Sequence, residues 1–108
     1  MNRKEQILGF LQDDPDQPFL LFALAKEYES EGSIENALHM YNKLYLLQPD
    51  YLGLYYHYAQ LLKETQQIEL AKKLFEEGIL KSQAQKDTHS EAELKNALMQ
   101  LNIEALEN

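Results

Sequence analysis

The chain has 108 residues, 44% of them apolar and 26% charged, a composition that suits one small globular domain and not a disordered segment. Its net charge is −8 and its cations are scattered, which speaks against a nucleic-acid or anionic-membrane surface, since both need clustered Lys and Arg. It has no Cys, so disulfides and thiolate metal sites are excluded.

The segment holding Ile7, Leu8, Phe10 and Leu11 predicts one short helix within residues 1–17. A second helix is expected from about Pro18 to Glu31. Asp16 is its candidate N-cap, and Pro18 sits in the first turn, where a missing N–H does no harm. Gly32 ends it by accepting a left-handed backbone. Ser33 opens the next, whose apolar residues Ile34, Ala37, Leu38, Tyr41, Leu44 and Tyr45 recur at spacings of three and four. Pro49 closes it, and Asp50 is read as the cap of a helix over about Tyr51 to Thr65. Its partner spans about Ile68 to Lys81, with Leu70, Ala71, Leu74, Phe75 and Ile79 turned inward. After a polar break at 86–91, Ser90 and Glu93 read as a capping box. The last helix, to about Leu106, carries the stripe Leu94, Ala97, Leu98, Leu101 and Ala105. No strand pattern is found, and about six helices are expected. No window approaches the roughly 18 apolar residues of a membrane span, and the start lacks the unbroken apolar run of a signal peptide. A soluble cytoplasmic product is therefore expected.

The chain repeats itself. Sliding it along until Ala25 falls on Ala59 also places Ile34 on Ile68, Ala37 on Ala71, Tyr41 on Phe75 and Leu46 on Leu80. The same shift carries Pro15 onto Pro49 and Ile7 onto Tyr41, so residues 1–17 read as the second half of a truncated unit. A period of roughly 34 residues, with small residues at fixed points of paired helices, resembles the tetratricopeptide repeat. The unit 18–51 fits that pattern with Leu21, Leu24, Ala25, Tyr28, Gly32, Ala37, Tyr41 and Pro49. The unit 52–85 fits with Tyr55, Tyr58, Ala59, Leu62, Ala71 and Phe75, and departs at Gln66 and Gln83, where Gly and Pro are absent. The resemblance implies an all-α fold, a right-handed α-solenoid of antiparallel helix pairs in a single domain. A helix over 88–107 would cap it, stacked against residues such as Phe75 and Ile79. A return of that helix over the binding face is the competing arrangement.

The stretch YLGLYYHYAQLL at 51–62 raises the question of which rings are core. Residues 51, 55, 58 and 62 share one helix face, so Tyr51, Tyr55 and Tyr58 are expected to pack. Tyr56 and His57 point elsewhere. In the family the first helix of each pair lines a concave groove. The resemblance then assigns Phe19, Phe22, Lys26, Tyr56, His57, Gln60 and Lys63 to a partner-binding groove, with Phe19, Phe22 and Tyr56 as an apolar patch. The family's carboxylate clamp for acidic chaperone tails is missing, since its places hold Phe22, Lys26 and His57.

His39, His57 and His89 are dispersed without metal-ligand spacing, Ser33 and Ser90 are explained by helix caps, and the four glycines form no phosphate loop. No catalytic residue, metal or cofactor is expected. The leading expectation is a non-catalytic module that binds another protein or peptide, of basic character given the acidity, with no nucleic acid or membrane as partner. The competing expectation is a structural one, in which the chain forms a homo-oligomer. Fewer than three full repeats are present, and Ile7, Leu8, Phe10 and Leu11 lack the partner that a full repeat would supply.

Overall fold

A computed structural model of the chain describes residues 2–107. It contains helices α1 (Arg3–Asp13), α2 (Pro18–Ser30), α3 (Ile34–Leu47), α4 (Gly53–Glu64), α5 (Ile68–Ala84) and α6 (Thr88–Leu106), and no strand among the described residues. The fold is an all-α helical repeat. The chain packs as two units, one up to Leu54 and the other from Tyr55. Among the described residues, no helix is long and apolar enough to cross a membrane.

Two kinds of turn repeat along the chain. The link from α1 to α2 is closed by Asp14 N–H donating to Phe10 O and Gln17 N–H to Asp14 O, at 3.2 and 3.4 Å. The link from α3 to α4 repeats both bonds at the equivalent positions, from Gln48 to Leu44 and from Tyr51 to Gln48, at 2.7 and 3.0 Å. Pro15 and Pro49 sit at the same place in these turns, where a residue without an N–H cannot continue the helix before it.

The other turn ends α2, α4 and α5. Gly32, Gln66 and Lys86 take positive φ of 80°, 67° and 59°. Each donates its N–H three residues back, and the next residue donates five back: Ser33 to Tyr28, Gln67 to Leu62 and Asp87 to Ser82. This is a Schellman closure, which satisfies the last carbonyls of a helix. Only Gly32 announces it in the sequence. Gln66 and Lys86 hold the same conformation against the steric preference of a side-chain-bearing residue.

Several caps differ from the sequence expectation. Gln17, not Asp16, caps α2, its side-chain oxygen accepting from Leu20 N–H at 3.1 Å. Ser33 stands at the start of α3 but makes no side-chain capping bond; its hydroxyl donates to Glu31 instead. Asp87, not Ser90, caps α6: it accepts from Ser90 N–H at 3.0 Å and from the Ser90 hydroxyl at 2.9 Å. The expected Ser90–Glu93 box gives way because an ionised carboxylate is the stronger acceptor for the exposed helix N–H groups. Helix α4 begins at Gly53, so Asp50 and Tyr51 lie in the turn before it.

In the first unit Ile7 of α1 is buried with Ala23 and Leu24 of α2, and Leu11, Leu20, Tyr28 and Met40 close around them. Arg3 and Lys4 tie α1 to α2 at the surface through Glu27 and Glu31, at 2.8 and 3.1 Å. In the second unit Tyr55, Tyr58, Leu62, Leu74, Phe75, Leu94 and Leu101 are buried. Helix α6 packs on α5. The close approach is at Gly78, where a Cβ would lie 2.7 Å from Tyr55 Cβ and 3.0 Å from a methyl of Leu94. Two residues expected inward are not: Leu70 is exposed on α5 and Ala105 on α6.

Candidate partner-binding site

On α2, Phe19, Phe22, Lys26 and Glu29 follow one another at spacings of three and four, so they form one stripe along the helix. Leu21, Leu24 and Ala25 of the same helix are buried, which leaves Phe19 and Lys26 turned toward solvent. Phe19 is 59% exposed and Lys26 is exposed. Phe22 is half-buried, its ring 5.7 Å from that of Tyr51 and 6.3 Å from that of Tyr41. The buried Tyr41 hydroxyl donates to the Glu29 carboxylate. Burial first, and then the bond to Glu29 and its negative charge, push the Tyr41 phenol far above its ordinary value, so it stays a donor.

On α4, Tyr56, His57, Gln60 and Lys63 are all half-buried. Tyr56 sits edge-on to His57 at 5.5 Å and to Phe75 at 6.5 Å, and Gln60 Nε2 donates to its hydroxyl at 3.1 Å. Lys63 is held by Glu104 of α6, with Nζ 3.2 and 3.0 Å from the two carboxylate oxygens. Tyr56, expected in the groove patch, is half-buried because part of its ring packs on Phe75. Lys63 is engaged within the chain by Glu104.

The structure therefore brings Tyr56, His57 and Gln60 together, and sets Phe22 beside a ring that the sequence pattern places elsewhere. That pattern puts Tyr51 on the core face of α4, but the residue precedes the helix and lies against Phe22. The repeat offset carries the signal: Tyr51 falls on Gln17, the cap before α2, so the second unit's helix has to start later. Glu104 has no such signal, since the repeat register is lost after α5, which at 17 residues outruns the 14 of α3.

A tetratricopeptide-repeat model matches residues 20–51 and 52–80, more than half of the chain, and the chain belongs to that family. Among curated proteins, none matches this sequence significantly. Among solved structures it is similar to a tetratricopeptide repeat domain protein from Salinibacter ruber, with 28% identity, a TM-score of 0.78, and coverage of 82% of this chain and 89% of that one. The TPR2B domain of yeast Sti1, solved in complex with pHsp70, shares the fold at 13% identity and a TM-score of 0.85, over 94% of this chain and 81% of that one. So does the type III secretion translocator chaperone SycD from Yersinia enterocolitica, at 12% identity and 0.83, over 94% of this chain and 71% of that one.

Proposed function

We propose that the chain is a non-catalytic interaction module that holds a segment of another protein against α2, the first helix of its first full repeat. The observation that carries this reading is Phe19, an aromatic side chain 59% exposed on a helix whose other face is core, with half-buried Phe22 one turn further on. An apolar side chain of the partner gains by covering these rings, since exposed aromatics that line one stripe lose unfavourable contact with water when buried. Lys26, one turn beyond Phe22 on the same helix, supplies a polar group that fixes register. The chain's charge of −8 favours a segment with basic residues. Two relatives of this fold, one solved with pHsp70 and one named as a chaperone, support protein recognition as the role.

The test is a displayed peptide library panned against the full chain. Selected peptides should lose about tenfold or more in affinity to Phe19→Ala, a side chain whose truncation leaves the melting temperature close to that of the parent. Peptides that bind Phe19→Ala as tightly as the parent chain would place recognition elsewhere.

A further inference from the structure

Helix α1 turns two unlike sides outward from its buried Ile7. Its cations are spent on α2, where Arg3 meets Glu27 and Lys4 meets Glu31. One exposed side of α1 is lined by Glu5, Gln6, Gly9, Phe10 and Asp13 around a shallow depression of about 320 Å³. Phe10 is 62% exposed, and nothing lies within 4 Å of the place a Cβ on Gly9 would occupy. This face presents an aromatic knob between two carboxylates, with no cation among its lining residues.

The outer face of α3 has the converse chemistry. His39, Lys43 and Leu47 stand where α1 has Glu5, Gly9 and Asp13, one repeat further along. Together with Asn42, Leu46 and Asp16 they line a hollow of about 380 Å³. Leu46 is 69% and Leu47 43% exposed, so the hollow is apolar at one end and carries Lys43 one turn away. Asp16 is the single carboxylate among the lining residues.

We propose that the outer face of α1 docks on the outer face of α3 of a second copy of this chain. Phe10 and Asp13 are three residues apart on α1, as are Lys43 and Leu46 on α3, a rise of about 4.5 Å in each case. When the two helices cross antiparallel, these spacings coincide. Phe10 then covers Leu46 and Leu47 while Asp13 meets Lys43, and the bare Gly9 lets the backbones approach. Both faces belong to the unit that ends at Leu54; Phe10, Asp13, Leu46 and Leu47 are exposed there and Lys43 is half-buried, so neither face covers the other within one molecule. A two-fold axis that pairs both contacts reciprocally closes a dimer. This association is separate from the α2 stripe proposed above to bind other proteins.

Sedimentation velocity of the full chain over a range of concentrations reads it. The weight-average mass should rise above the 12.6 kDa of one chain as concentration increases. Phe10→Ser, Asp13→Lys and Lys43→Asp should each weaken self-association about tenfold, and Asp13→Lys combined with Lys43→Asp in one chain should recover most of the loss. Thermal melts confirm that each variant is folded. A mass of one chain at every concentration would overturn the proposal. So would association that Asp13→Lys leaves unchanged, or a charge swap that fails to restore it in a folded double variant.

Discussion

The rings of Phe22 and Tyr41 lie 6.3 Å apart at 60°, and in the next repeat Tyr56 and Phe75 form the equivalent pair at 6.5 Å and 66°. The hydroxyl has changed sides. In the first unit it belongs to the second helix of the pair, is buried, and donates to Glu29. In the second unit it belongs to the first helix, is half-buried, and accepts from Gln60. Tyr41→Phe leaves the ring packing intact, as Phe75 demonstrates at the equivalent place, and removes one bond to a charged acceptor. It should cost about 1–2 kcal/mol. Tyr56→Phe exchanges a solvent-accessible bond and should cost less than about 0.5 kcal/mol. Chemical denaturation of both variants checks the pair, and equal losses would show that the two hydroxyls are held alike.

Gly78 tests the packing of the second unit. Replacing a glycine in an exposed helix by alanine usually stabilises, by roughly 0.5–1 kcal/mol. At Gly78 the added Cβ meets Tyr55 Cβ at 2.7 Å and Leu94 at 3.0 Å, neither at the end of a long flexible side chain. Gly78→Ala should therefore destabilise by about 1–3 kcal/mol. Gly9→Ala, which meets nothing within 4 Å, should follow the usual trend when melted at high dilution. A Gly78→Ala variant as stable as the parent would mean that α4, α5 and α6 do not approach this closely.

The repeat, the six helices of the described residues and most of their apolar faces were legible in the sequence because each rests on local periodicity. Ala37 and Ala71, Tyr41 and Phe75, and Tyr55 and Tyr58 are all buried where that periodicity put them. Cap positions were not legible, because Asp16, Gln17 and Pro18 all offer a reasonable start and the choice depends on how the turn closes. The side-chain partners of the candidate site were hidden for another reason. Tyr51 on Phe22, Glu29 on Tyr41 and Glu104 on Lys63 join residues far apart in the chain, and no spacing rule reaches so far.

The Schellman turns give a third expectation. Gln66 and Lys86 adopt the φ that Gly32 adopts at the end of α2, and a side chain in that region costs about 1 kcal/mol or more. Glycine removes that cost but gains entropy in the unfolded chain, which offsets part of it. Lys86 is exposed, so no packing is lost with its side chain. Lys86→Gly should raise stability by about 0.5–1 kcal/mol, measured as a rise in melting temperature. Lys86→Val, a β-branched residue in the same place, should lower it. A reversed order of the two variants would mean that the turn relaxes to another conformation when substituted.

Helix α6 is anchored at its start by carboxylates, and this sets how the second unit responds to acid. Accepting from the backbone N–H and then the hydroxyl of Ser90 holds Asp87 below its ordinary 3.8. Glu91 is likewise held below its ordinary 4.5, first by its bond with Lys95 and then by that from Gln83. Each group binds a proton less readily in the folded chain than in the unfolded one. Its contribution is therefore fully present above the ordinary carboxylate range, and is lost as pH falls through the lowered folded value. Melting temperature should accordingly be flat from neutral pH down to the ordinary range and drop below it. Asp87→Asn keeps an acceptor at the cap but cannot titrate, so it should start lower at neutral pH and lose less on acidification. If the parent and Asp87→Asn fall in parallel through the acid range, Asp87 does not carry this part of the pH dependence, and the drop belongs to other carboxylates.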